Sequence, residues 1–517
     1  MLLSIAILAV VVTYLWRRLT ARSPLWNIQG PPSPSWAAGH FVDLLHTQDE
    51  MGHLEVSWFR RYGSTLRIKK SFGEDVLMSA DPKALFHIFH TPGGQLYSRA
   101  PEEIIMNESL AGNGVAIHKG ATHQRHRRLM NPAFSEGKIK AMVPIMQRVS
   151  RQMTEKLLDV VAVQGGLLDL HSFFMCTTLD IICEAAFGHN FGTIEGKERE
   201  MATVIEGMLH ECNNTNATMR VLGWAMEHVP FAKEILRSIP NKMMDGMHRQ
   251  QDIMRDAAKK LLEGLGDGTG NTMQSVIMEG SAAAPEGKKL SDDEILSNAV
   301  SLVLAGHGTT AVTALWALYE LSRRPDLQER IRAEVDETRQ RTGELVYDSL
   351  PVLNAVLKET LRMDTNFPYV MRIAEADDVI PLSEPIVTAD GKTIDSLPVR
   401  KGQLIYIPEI GYNRNTSVWG DDADVWNPER WLGDKKAEKK YPLGVYANLM
   451  TFSGGAYGCL GWRFAVVEMQ VLIVEMLETF VLSPGPRVKR KPGLVVTAQV
   501  ETQKGHELGM PLHLTPR

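Results

Sequence analysis

Apolar positions recur along the chain at several spacings, and each spacing predicts a different element. Met1 to Trp16 carries no charged side chain and is mostly Leu, Ile, Val and Ala, and Arg17, Arg18 and Arg22 follow it. A cleaved leader would place basic residues ahead of its apolar run, so this order predicts an uncleaved single-pass anchor over 1–16, with the remainder facing the cytosol. At ~1.5 Å per residue the run reaches ~24 Å, against the ~30 Å of a bilayer core. Gly30-Pro31-Pro32-Ser33-Pro34 cannot extend that helix, because proline lacks an amide hydrogen and restricts its predecessor. Residues 17–35 therefore read as a basic, proline-rich hinge.

Beyond the hinge, apolar residues between Ile139 and Lys260 mostly recur at helical spacing, as in Leu179, Ile182, Cys183 and Ala186. Strand-like runs lie near Thr65 to Ser79 and Thr393 to Ile407. The polar, small-residue stretch Gly264 to Lys289 is expected to be a flexible loop between two helical blocks. Ser291 and Glu294 then form a capping-box pattern ahead of Ile295 to Leu321, which is apolar on nearly every side. Such a helix, roughly 40 Å long at ~1.5 Å per residue, belongs in a protein interior. It tolerates Gly306 and Gly308, each costing about 1 kcal/mol relative to Ala, so something is expected to approach that backbone closely. The chain is mainly α with a smaller sheet portion.

A length of 517 residues would by itself suggest two or three domains. The 44% apolar and 23% charged composition supplies a large core and shows no disordered bias. A net charge of -5 lacks the positive field on which nucleic-acid affinity depends, so no nucleic-acid partner is expected. Cys176, Cys183, Cys212 and Cys459 are too scattered for a disulfide framework or a zinc site, which fits a reducing compartment.

One cysteine has unusual surroundings. Phe452-Ser453-Gly454-Gly455-Ala456-Tyr457-Gly458-Cys459-Leu460-Gly461 packs four glycines around it, directly before the apolar helical stretch Trp462 to Leu482. A sulfur at a helix N-terminus has its thiolate favoured, and glycines would let a flat ligand lie near the backbone. The loop resembles the cytochrome P-450 superfamily pattern F-x-x-G-x-R-x-C-x-G, matched by Phe452, Gly455, Cys459 and Gly461. Tyr457 stands where the family has an Arg that binds a haem propionate; its hydroxyl offers one hydrogen bond, so weaker haem binding is expected.

Other segments carry the same resemblance in the family's order. Glu359 and Arg362 resemble E-x-x-R, which in the family pairs with an Arg in a later stretch, here Arg430 of Pro428-Glu429-Arg430-Trp431. Glu320 and Arg323 share the spacing and read as a solvated pair. His123 and Arg127 occupy W-x-x-x-R positions, with His for Trp, and with Arg372 they resemble propionate contacts. Ala305-Gly306-His307-Gly308-Thr309-Thr310 resembles A-G-x-[D/E]-T-T, which in the family bends over the haem and delivers protons, Thr309 being the matching threonine. Gly308 lacks the family's relay carboxylate. His307 could relay protons instead, a water chain could, or the histidine is simply packed.

The resemblance implies one large, mostly helical triangular-prism domain with small sheets over 36–517, rather than several domains. It implies haem b with Cys459 as axial thiolate and metal ligand, the sulfur favouring oxygen–oxygen cleavage. It also implies electrons from NADPH through a membrane-bound reductase, docking near Arg125, Arg128, Lys138 and Arg463, and oxygenation of a lipophilic small molecule. The expected setting is the endoplasmic reticulum membrane, in secondary metabolism or detoxification, with Trp224 to Phe231 dipping into the bilayer or packing in the core. The substrate lining is expected from residues 98–122, 205–245 and 366–371. An oxygen-independent isomerase or dehydratase and a non-catalytic haem-binding protein are the alternatives.

Overall fold

In the computed structural model the described residues are 23–91, 96–197, 207, 242–264, 272–433, 441–491, 493, 495–502 and 505–517. The expected anchor, Cys212 and the stretch Trp224 to Phe231 lie outside them. Helices α1 (Pro82–His90), α2 (Pro101–Ala111) and α3 (Gly120–Met130) precede α4 (Glu136–Gln164) and α5 (His171–Phe187). Then come α6 (Lys242–Glu263), α7 (Met273–Ala282), α8 (Asp292–Gly306), α9 (Gly308–Ser322), α10 (Pro351–Met363) and α11 (Trp462–Thr479). The protein is mainly helical with small sheets.

The core forms where apolar sequence leaves a helix no polar face. α5 is buried almost throughout from Phe174 to Phe187, and α9 buries Leu315, Trp316 and Leu318. With α4, α8 and α11 they share one apolar cluster. The α8–α9 stretch is apolar and long enough to cross a membrane, but much of it is buried in this core. Ser291 and Glu294 form the expected capping box, the Glu294 amide donating to Ser291 Oγ at 3.2 Å and the Ser291 amide to Glu294 Oε2 at 2.9 Å.

The principal sheet joins β1 (Thr65–Lys69), β2 (Asp75–Ser79), β3 (Tyr97–Arg99), β4 (Tyr369–Ala374) and β5 (Leu404–Pro408) in the order β1-β2-β5-β4-β3. β2 and β5 run parallel and the other pairs antiparallel. The β3–β4 register sets Arg99 directly opposite Arg372.

Three expectations are corrected. The central helix is two helices, broken at His307 (φ −107°, ψ −67°). The stretch expected as a loop contains α7, because Met273 and Ile277, one turn apart, bury their side chains. Packing also begins within the stretch read as a hinge: Leu25 and Ile28 are buried, and a Cβ on Gly30 would lie 1.9 Å from the Arg67 carbonyl oxygen.

Candidate functional site

Strand β6 (Leu449–Gly454) and one short turn, Gly455–Tyr457, deliver Cys459 to the start of α11. The Cys459 amide donates to the Phe452 carbonyl at 2.8 Å, closing the loop. No side chain caps α11, and the Gly461 and Trp462 amides point at the sulfur instead. Burial nevertheless raises the thiol pKa, outweighing those amides and Arg127. The amides and Arg127 favour the thiolate against that burial, and a bound metal ion would favour it further.

The loop glycines serve the protein's own packing. Gly455 has φ +61°, and a Cβ there would lie 2.0 Å from the Phe89 carbonyl oxygen at the end of α1. A Cβ on Gly454 would meet the Leu443 carbonyl oxygen at 2.3 Å, and one on Gly458 would meet Val445 at 2.6 Å. Gly461 has only an ordinary contact with Phe134. At Gly454, Gly455 and Gly458 chain-on-chain contact is thus a reason for glycine that the ligand-approach reading did not include.

Cations gather beside the cysteine. Arg127 donates from Nη1 to the Gly458 carbonyl at 2.9 Å. The guanidinium of Arg99 lies 4.6 Å and that of Arg372 5.4 Å from the Tyr457 ring centre, and the buried His123 ring is 4.6 Å from the same ring. Glu103 has Oε2 3.6 Å from Arg372 Nη1, and the buried Glu409 also acts on Arg372 and Cys459. Burial, then the charge of Arg372, pull Arg99 down to about 10. Burial, then Arg99 and Arg127, hold His123 neutral at about 3. Like charges directly opposite in a sheet are unfavourable, so the Arg99–Arg372 pair calls for anions. Sequence reading missed Arg99, whose only signal is the β3–β4 pairing.

These features test the fit of a haem. Cys459 is exposed although protein surrounds it closely enough to desolvate it, so it opens on an interior hollow. Ala305, near the end of core helix α8, is exposed too. A soft sulfur ligand beside three arginines, against two acids, Glu103 and Glu409, whose ionisation burial opposes, suits an iron porphyrin carrying two carboxylates. The residues fit the group.

The core helix passes the site at its break. Thr309 Oγ1 donates to the Ala305 carbonyl across His307, at 2.9 Å. A Cβ on Gly306 would lie 2.6 Å from Ile182, so the close neighbour foreseen there is α5. His307 is 1% exposed, and burial pushes its pKa down to about 4. It therefore stays neutral near pH 7 and does not titrate as the proposed relay. Glu468 on α11 is a fully buried acid beside Thr310, its pKa raised by burial.

Glu359 and Arg362, both fully buried, meet Arg430. Arg362 donates to both Glu359 oxygens at 2.8 and 2.9 Å, and Arg430 Nε, the Asn427 amide and Trp431 Nε1 supply further bonds at 2.9, 2.8 and 2.9 Å. Glu320 pairs with Arg324 and Arg490, whereas Arg323 lies over the Tyr319 ring, so the solvated Glu320–Arg323 pair is not formed. Arg125 is bound to Glu294, which makes it a poor docking charge. His118, His126 and Glu294 present ligand atoms within 4.8 Å of one another, but Arg125 already supplies the cation there.

The family model described as Cytochrome P-450 matches residues 29–505. The chain is 31% identical to cytochrome P-450 monooxygenase 128 of Postia placenta, over 95% of this chain and 92% of that protein. It is 29% identical to ganoderic acid synthetase CYP5150L8 of Ganoderma lucidum, over 93% and 92%. To cytochrome P-450 monooxygenase claW of Ampulloclitocybe clavipes it is 29% identical, over 92% and 89%.

Proposed function

The chain belongs to the cytochrome P-450 family and is a haem-thiolate monooxygenase, and from that premise we propose that it inserts one oxygen atom from dioxygen into a lipophilic small molecule, using electrons from NADPH through a membrane-bound reductase. The observation that carries this reading is an accessible Cys459 at a helix start beside Arg99, Arg127 and Arg372. When bound, haem supplies dioxygen activation, with the cysteine sulfur donating electron density.

The chain's own residues do the rest. Cys459 would hold the iron through its sulfur, its backbone fixed by the hydrogen bond from its amide to Phe452. Arg127 and Arg372 would hold the propionates, joined by Arg99; the Tyr457 ring keeps Arg99 and Arg372 in place, so β3 would supply the arginine missing at 457. The Thr309 hydroxyl holds a proton at the hollow, and with Gly308 beside it and His307 neutral, protons reach it through water. Glu359, Arg362 and Arg430 fix the frame under the cysteine loop. A single-pass anchor in the endoplasmic reticulum membrane would bring lipophilic substrates to the domain. The relative named as a ganoderic acid synthetase supports a biosynthetic role in secondary metabolism.

Turnover in membranes containing the reductase, under ¹⁸O-labelled dioxygen, tests this reading. One labelled oxygen per product molecule and strict NADPH dependence are expected. NADPH-independent conversion without label would favour the isomerase or dehydratase, and absence of turnover across a lipophilic panel would favour a non-catalytic haem protein.

A further inference from the structure

The core helix breaks at His307, and the residue after Gly308 is the threonine on which proton delivery depends. A helix interrupted in this way needs an outside contact to fix where its next turn begins. That contact comes from the segment between α10 and β4. Asn366 Nδ2 donates to the Thr309 carbonyl at 3.0 Å and to Thr313 Oγ1 at 2.9 Å. Thr313 Oγ1 in turn donates to the same Thr309 carbonyl at 3.0 Å, closing a triangle of one amide, one hydroxyl and one carbonyl.

The segment presenting Asn366 is held on both sides. Asp364 pairs with Arg490, which also reaches Glu320 of α9 at 3.6 Å. The Asn366 carbonyl accepts from the Val496 amide at 2.8 Å, and the Pro368 carbonyl accepts from the Glu409 amide at 3.1 Å. The side-chain amide is therefore presented from a tethered backbone, and small displacements of Thr309 would stretch both of its bonds.

We propose that Asn366 is a positioning residue for Thr309: its amide pins the first turn after the break and so holds the Thr309 hydroxyl against Ala305, at the edge of the hollow. The inference rests on the proposed role of Thr309 in oxygen activation. With Gly308 supplying no carboxylate, the water path depends on the placement of that hydroxyl, and drift of the turn lets dioxygen leave as hydrogen peroxide, consuming two electrons and two protons without product.

Asn366→Ala removes both donors, and Asn366→Asp keeps the shape while replacing the donor with a carboxylate facing the Thr309 carbonyl. In the full-length haem protein both variants are expected to release roughly fivefold more peroxide per NADPH, the change that about one neutral hydrogen bond carries. Deuterium exchange of a peptide spanning 305–313 should accelerate by a similar factor. Asn366→Asp should recover coupling as the pH is lowered, because a protonated carboxyl donates again, while Asn366→Ala stays flat. Wild-type exchange and coupling in both variants would overturn the proposal. So would loss of the thiolate carbon monoxide band in both, which would make Asn366 a folding residue. If the wild-type protein itself shows no NADPH-dependent oxygenation, the monooxygenase reading falls, and the exchange data still decide whether Asn366 pins the turn.

Discussion

Replacing Glu359 with glutamine keeps the side chain's shape and removes one charge from a fully buried site. Oε1 accepts from Arg362 Nη2, Arg430 Nε and the Asn427 amide, while Oε2 accepts from Arg362 Nε and Trp431 Nε1. Either orientation of a glutamine amide therefore sets an NH₂ group against two or more donors. Arg362 keeps the carbonyls of Asn413, Ala423 and Val425 but loses its counter-charge. Breaking a buried pair costs about 3–5 kcal/mol, against the roughly 5–15 kcal/mol that holds most domains together. The folded-to-unfolded ratio should fall by roughly two to four orders of magnitude. Urea unfolding followed by tryptophan fluorescence, at matched haem occupancy because bound ligand stabilises the folded state, measures it. A loss below about 1 kcal/mol, the range of a surface ion pair, would refute the reasoning.

Arg99→Met should weaken haem binding roughly 10- to 150-fold, the equivalent of one charge-assisted hydrogen bond of about 1.5–3 kcal/mol; haem transfer to an acceptor globin measures it, and unchanged affinity would remove Arg99 from the site. His307 has a folded pKa of about 4, below its ordinary value, so the unfolded chain binds a proton that the folded chain refuses. Its contribution is fully present above the unfolded pKa near 6.5 and is lost as the pH falls toward 4. His307→Gln should accordingly reduce the acid loss of stability between pH 7 and 4 by on the order of 3 kcal/mol; equal pH profiles for both proteins would show that the imidazole is solvated.

Sequence reading reached what is contiguous or periodic. The cysteine loop lies within ten residues, and the α5 and α8–α9 stretches announce their burial by lacking a polar face. What depends on long-range pairing was out of reach. Arg99 enters the site only because β3 registers against β4, and Asn366 meets Thr309 only because Asp364, Val496 and Glu409 fix its segment. Spacing also misled where tertiary partners compete. Glu320 found Arg490 instead of Arg323, and α7 formed in a polar stretch because Met273 and Ile277 had a core to enter. The pull of the α11 terminus on the Cys459 sulfur was legible in the sequence, whereas the opposing desolvation depends on what the fold packs around it.

The central claim is that Cys459 ligates haem iron, and the carbon monoxide difference spectrum of the reduced protein, run beside Cys459→Ser, tests it most directly. A strongly red-shifted Soret band that disappears in the serine variant is the predicted result. A folded, haem-loaded wild-type protein without that band, or a band that survives the substitution, would contradict it.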